Sequence, residues 1–178
     1  ETDWTEKCRA VVHGYLGGQA GAGAMLEVLT GWQNPCGKLA ETIPLRYEDT
    51  PAARYFPGRK QNAEYREGLY VGYRYYETAS KAVRYPFGYG LSYTTFAYSD
   101  LKVNADKVTF TLTNTGSVAG AEIAQLYVAK PDAAVFRPAK ELKGFAKVFL
   151  KAGESKTVTI PLDDKAFRYW NVATDHWE

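Results

Sequence analysis

Three carboxylates stand close together in "EYREGLYVGYRYYE": Glu64, Glu67 and Glu77. Two carboxylic acids flanking a glycosidic bond can break it, one protonating the leaving oxygen and the other attacking the sugar or activating water. That chemistry needs one acid kept protonated near neutral pH by burial or by a like charge. No local feature marks any of the three as buried, and Arg66, Arg74 and Arg84 are available as partners. Structural ion pairs are therefore the reading of this cluster. Serine chemistry fares no better: Ser92 in "GLSYT" lacks the G-x-S-x-G elbow, and no histidine is paired with it. The two cysteines, Cys8 and Cys36, have only His13 near them, and His176 lies at the far end. Neither a zinc site nor a disulfide scaffold follows from that spacing, and two buried free thiols are expected. The glycine run "GGQAGAGAM" invites a dinucleotide guess, but the third small position of the fingerprint is Leu26, too large for close helix–strand packing. A helix lying close against a sheet or a neighbouring domain is the better use of those glycines. No catalytic, cofactor-binding or metal-binding residue is assigned.

The elements that would carry these residues fall into two styles. "KCRAVVHGYL" (Lys7 to Leu16) reads as a buried strand. The run "GGQAGAGAMLEVLTG" reads as a helix, with Ala22, Met25, Leu26 and Leu29 on one face and Gly31 ending it. "NPCG" (Asn34 to Gly37) is turn chemistry, with Pro35 presetting φ and Gly37 allowing positive φ. "KLAETIPL" then reads as a second strand. Such a strand–helix–strand unit belongs to the edge of an α/β layer and cannot by itself bury Met25, Leu26, Val28 and Leu29. "TPAARYFPGRKQNAEYREG" is a long Pro/Gly-punctuated loop, and "LYVGYRYYE" a strand or extended aromatic segment. In "YPFGYGLSYTTFAYSDLKV", four tyrosines and two phenylalanines surround two glycines that no helix would tolerate. It reads as a stiff aromatic elbow between two folded units. Beyond it the period becomes two: "KVTFTLTNTG", "AEIAQLYVAK", "KELKGFAKVFL" and "ESKTVTIPL" alternate or run apolar between Gly and Pro signals, and "AFRYWN" adds a further candidate. Lys151–Glu154 is a turn. About six strands are counted, where an immunoglobulin-like sandwich has roughly seven. Phe110, Leu112, Leu126, Val148, Val158 and Ile160 are its expected core.

Composition sets the outer bounds. The 178 residues carry a formal net charge of +2, with signs interspersed, and 14 of them are tyrosine. The nearest approach to a basic block, Arg54 to Lys60 with Arg66, is broken by Pro57 and Glu64, so no nucleic-acid stripe is present. No apolar run approaches the roughly 18 residues of a membrane helix, and no membrane partner is expected. The amino-terminal "ETDWTEKCRA" lacks an apolar h-region. Nothing here assigns a compartment, with a lean to the cytoplasm.

These motifs, in this order, resemble glycoside hydrolase family 3, and within it the β-glucosidases. "GYLGGQAGAGAMLEVLTGWQNPCGKLAETIP" is similar to the end of the family's α/β-sandwich domain, with its Gly-Gln-x-Gly helix and Asn-Pro-Ser-Gly-Lys-Leu turn. Cys36 stands where the family usually has serine, a near-isosteric change. "YREGLYVGYRYYE" resembles the family's aromatic linker, and "YPFGYGLSYTTFAYS" its entry into a fibronectin type III-like domain. "KELKGFAKVFLKAGESKTVTIPL" and "AFRYWN" resemble later strands of that domain.

The resemblance implies a mixed fold: residues 1–48 the edge of an α/β sandwich, 49–90 an aromatic linker, and 91–178 an immunoglobulin-like (fibronectin type III-like) antiparallel β-sandwich lacking its last strands. It implies a retaining enzyme that hydrolyses O-glycosidic bonds at non-reducing β-D-glucosyl ends. The family's aspartate nucleophile sits on a (β/α)8 barrel and its glutamate acid/base on the α/β-sandwich. No residue here matches either role, so the chain alone is expected to be inactive and to need no cofactor. Its expected partner is the remainder of the same enzyme or another copy, with the β-glucoside reaching it only through the full enzyme. The alternative is a free-standing carbohydrate- or protein-binding β-sandwich module, in which Trp32, Tyr55 or Trp177 could stack on a sugar ring.

Overall fold

The computed structural model describes residues 3–58 and 61–178. Of the long loop and the broken basic block, Arg59 and Lys60 lie outside the described residues, as do Glu1 and Thr2 of the amino-terminal stretch. The chain forms two compact units, one of residues 1–91 with 131–139, the other of 92–130 with 140–178. The fold is mixed, with few helices and several antiparallel sheets, ending in a β-sandwich.

In the first unit, helix α1 spans Gly21–Thr30. Alanine, methionine and leucine favour the helix, and Gly31 ends it at φ 80°, where its N–H reaches the Val28 carbonyl at 3.1 Å. Leu26 and Leu29 remain 60% and 66% exposed, whereas Met25 and Val28 are half-buried, Met25 lying against Gly14. The expected strand over Lys7–Leu16 does not form. Residues 8–16 carry no ladder and lie open to solvent, because a strand is stable only against a neighbour, and none of the described residues supplies one. Cys8 is consequently exposed and Cys36 half-buried, both as free thiols, which corrects the buried reading. The second expected strand contracts to β1, Ile43–Pro44, paired antiparallel with β2, Val83–Tyr85.

"LYVGYRYYE" is neither strand nor extended. It forms a short helix α2, Tyr73–Thr78, entered from Gly72 and ended at Ala79, whose N–H reaches the Tyr75 carbonyl at 2.9 Å. Tertiary contact overrides the β preference of its tyrosines: Tyr76 is buried, and Tyr73 stacks on Phe87 at 4.7 Å. Gly37 is not at positive φ, and "NPCG" runs without an assigned turn. Its neighbours are occupied instead in zipping against the elbow. Leu39 N–H reaches Tyr89 O and Gly88 N–H reaches Leu39 O, both at 2.8 Å, while Lys38 Nζ donates to Gly90 O at 2.8 Å.

The second unit is the sandwich. One sheet has the order β3 (Phe96–Val103), β4 (Lys107–Asn114), β7 (Ser155–Pro161), and the other pairs β5 (Gly120–Val128) with β6 (Glu141–Leu150), all antiparallel. The alternation in "KVTFTLTN" does as expected: Val108, Phe110, Leu112 and Asn114 are buried, and the threonines between them half-buried. With Ala124, Leu150, Val158, Ile160, Leu162 and Ala166 they make the core. Leu126 and Val148 pack against that core but are only half-buried, because both strands of the β5–β6 pair are edges. Each buried Leu, Ile, Val or Phe contributes about 1.5–3 kcal/mol. Gly144 is required where it stands, since a Cβ there would sit 2.6 Å from Ile160 Cγ2 on the facing sheet.

The expected turn at Lys151–Glu154 is present, closed by Glu154 N–H to Lys151 O at 3.0 Å and by Lys151 N–H to Glu154 Oε2 at 2.7 Å. Strand β3 carries a register irregularity between Ser99 and Lys102, with Asp100 at φ 54°, a device that blunts an exposed sheet edge. "AFRYWN" yields only a two-residue strand, β8 (Trp170–Asn171), in a hairpin with β9 (His176–Trp177). Asp163 and Asp164 precede it as a capped 3-10 turn, with Asp163 Oδ1 accepting from Ala166 N–H at 3.1 Å.

Candidate functional site

Glu64, Glu67 and Glu77 sit in separate surroundings. Glu64 and Arg66 form an ion pair on the surface of the long loop. The pairing with Glu64 raises the Arg66 guanidinium above its ordinary value, and that guanidinium also lies 4.8 Å over the Tyr55 ring. Glu67 is half-buried, and its backbone carbonyl accepts from Tyr70 N–H at 2.9 Å, closing the turn that leads towards α2. Glu77 is exposed near the end of α2. A general acid needs a low-dielectric wall or a neighbouring like charge, and exposed Glu64 and Glu77 have no such burial.

Arg84 was expected to pair within the same cluster. It turns instead to the amino-terminal 3-10 turn at Asp3–Lys7, with Nη1 at 2.6 Å from Glu6 Oε1 and Nη2 at 3.6 Å from Asp3 Oδ1. The Glu6 hydrogen bond is the main cause of its raised value. Asp49 binds Lys81 and Arg46, each at 3.6 Å. These pairs fasten the ends of loops to β2 and α2, an architectural use of charge that contributes little individually.

The other candidates are equally structural. Ser92 Oγ accepts from Thr94 N–H at 3.3 Å, a local turn bond. His13 packs on Tyr15, and His176 engages Glu178 and the Thr174 carbonyl. Of the glycine run, Gly18, Gly21 and Gly23 face open space, so none of these three is used for close packing against the described residues. Trp32 is 83% exposed, one face of Tyr55 is taken by Arg66, and Trp177 meets Trp170 edge-on at 5.6 Å. An edge-on pair is not the flat platform that a stacked sugar ring requires. No helix among the described residues is long and apolar enough to cross a membrane.

What the residues do build is an aromatic and hydrogen-bonded frame. Tyr73–Phe87 and Tyr85–Tyr89 are stacked, Tyr75 meets Tyr76 edge-on, and Phe87 N–H donates to Thr42 Oγ1 at 3.2 Å. Burial is the main reason that the Tyr76 hydroxyl titrates above its ordinary value, with Tyr75 and Asp49 adding to it. In the sandwich the frame residue is Asn114, fully buried, which sequence reasoning missed. Its Oδ1 accepts from Thr94 Oγ1 at 2.6 Å and Gly116 N–H at 3.1 Å, and its Nδ2 donates to Val118 O at 2.8 Å and Leu150 O at 3.2 Å. The only available signal was its place as the inward-facing end of an alternating strand. Such a frame positions backbone and excludes water.

The profile of the glycosyl hydrolase family 3 C-terminal domain matches residues 1–93, and that of the fibronectin type III-like domain matches residues 122–178. The thermostable beta-glucosidase B of Acetivibrio thermocellus is 49% identical over 99% of this chain and 24% of its own length. The exo-alpha-(1->6)-L-arabinopyranosidase of Bifidobacterium breve is 48% identical over 98% of this chain and 24% of its own. The crystal structure of the Bifidobacterium adolescentis GH3 beta-glucosidase superposes with a TM-score of 0.86 at 51% identity, over 92% of this chain and 25% of that one. The chain thus spans about a quarter of the length of the curated relatives it matches.

Proposed function

This chain belongs to glycosyl hydrolase family 3, and from that premise we propose that it serves as the C-terminal structural portion of a retaining β-glucosidase-type enzyme. The parent reaction is hydrolysis of O-glycosidic bonds at non-reducing β-D-glucosyl ends, through a covalent glycosyl intermediate and two carboxylates about 5 Å apart. The observation that carries the reading is the family match across the first 93 residues, combined with carboxylates that are used as loop fasteners. Within the chain we assign residues 1–48 to the edge of the α/β-sandwich domain, 49–90 to an aromatic linker and 91–178 to the fibronectin type III-like sandwich.

The relatives add a second line of support. Two of them share 49% and 48% identity with this chain, yet one is named for glucosides and the other for arabinopyranosides. A portion shared by enzymes named for two different sugars fits an architectural role. The partner that fits is the rest of the same enzyme, because Val11, Leu16, Leu26 and Leu29 stand exposed along one continuous stretch.

The purified chain should not turn over an aryl β-glucoside above the solvent rate, and Glu67→Gln should change nothing. Turnover that Glu67→Gln abolishes would overturn the assignment.

A further inference from the structure

The connection between β5 and β6 does not stay with the strands it joins. Residues 131–139 lie inside the stretch that matches the fibronectin type III-like profile, yet they pack as part of the first unit. The chain therefore leaves the first unit after Leu91, returns to it at Pro131 and leaves again after Ala139. In the first unit this returning segment meets the turn before α2 and the end of α2. Tyr70 Oη donates to the Phe136 carbonyl at 3.3 Å, with the two rings stacked at 5.3 Å, and Ala139 N–H donates to Thr78 Oγ1 at 3.0 Å. Pro138, between those two points, is buried.

We propose that residues 131–139 are a strap that completes the first unit by anchoring α2, so that residues 1–91 do not form a stand-alone domain. Helix α2 has six residues, far below the length at which a helix persists without tertiary support. Its own apolar anchors are few: Tyr76 is buried and Tyr73 stacks on Phe87, both towards the middle or start of the helix. The C-terminal end is held by Thr78 through the strap. Phe136 is itself 79% exposed, so the hold rests on the two hydrogen bonds rather than on the ring stack. Flanking prolines Pro131 and Pro138 restrict the segment before it docks, lowering the entropy lost on ordering it.

The test uses hydrogen exchange on the full chain. In one variant residues 132–138 are replaced by a Gly/Ser segment of equal length, and in the other Thr78→Val removes the acceptor while keeping the shape. Amides of Ala79, Ser80 and Lys81 bond back to carbonyls of α2 and report its end, while those of β4 report the sandwich. The strap predicts at least about tenfold faster exchange at the three α2 reporters in the Gly/Ser variant and a smaller rise in Thr78→Val, with β4 rates unchanged. Equal acceleration of both regions, or none at the α2 reporters, in both variants overturns it.

Discussion

Asn114 uses both amide hydrogens and accepts two bonds at its oxygen, all in a fully buried setting. Its partners lie on three separate stretches, Thr94 before β3, Gly116 and Val118 in the β4–β5 connection and Leu150 at the end of β6, so one side chain fixes where β4 ends and where β5 and β6 meet it. Removing it strands several buried polar groups at about 1–3 kcal/mol each. Asn114→Ala should therefore lower the denaturant midpoint of the sandwich without changing its m-value, with a loss of at least about 3 kcal/mol. Asn114→Asp keeps the shape but turns lone pairs towards the Val118 and Leu150 carbonyls. It should also destabilise, and less so once acid protonates it. A neutral Asn114→Asp would mean that packing, not hydrogen bonding, holds the corner. Tyr98 supplies a pH-dependent counterpart. The residue stays 53% exposed, and partial desolvation of the hydroxyl, followed by the Glu122 carboxylate, pushes that hydroxyl up from 10.0 to about 12. A raised value means the folded state holds the proton more tightly, so the contribution is complete below pH 10 and lost as pH rises towards 12. Tyr98→Phe should flatten that part of the alkaline stability curve, and an unchanged slope between the two variants would show that Tyr98 does not contribute to it.

Elements differ in how much of themselves the sequence discloses. Strand β4 was legible because alternation is a local property: Val108, Phe110 and Leu112 point inward wherever the strand packs. Phe110→Ala should cost about 3–5 kcal/mol in thermal or denaturant unfolding, and a change within about 0.5 kcal/mol would place that side chain outside the core. Helix α1 and its Gly31 stop were legible for the same reason. Residues 8–16 were not, since an apolar run announces burial without saying against what, and its ladder partner is absent from the described residues. Tyrosines 73, 75 and 76 advertise a strand, while the burial of Tyr76, the stack of Tyr73 on Phe87 and the hydrogen bond at Thr78 favour a helix. The two-residue β1–β2 pair is set by the zip between residues 38–43 and 85–90, a non-local pairing that no periodicity encodes. On the site, the sequence argued correctly that arginines would neutralise carboxylates but chose the wrong partner for Arg84. Its acids are Asp3 and Glu6, some 78 residues away in sequence for Glu6, where spacing carries no information.

At the scale of the whole molecule, the described residues are put to architectural use. Arg84 and Asp49 ion pairs fasten loops, the Tyr73–Phe87 stack and buried Tyr76 hold α2, and an alternating strand builds the sandwich core, which is the architectural role proposed above. The most direct measurement replaces the matching quarter of the Acetivibrio thermocellus beta-glucosidase B with this chain and compares aryl β-glucoside with aryl α-L-arabinopyranoside as substrates. If the chain is architecture alone, the chimera hydrolyses the glucoside, and its ratio of kcat/KM values stays within about threefold of the recipient's. A shift of that ratio beyond about tenfold would place sugar-selecting residues on this chain and contradict the account.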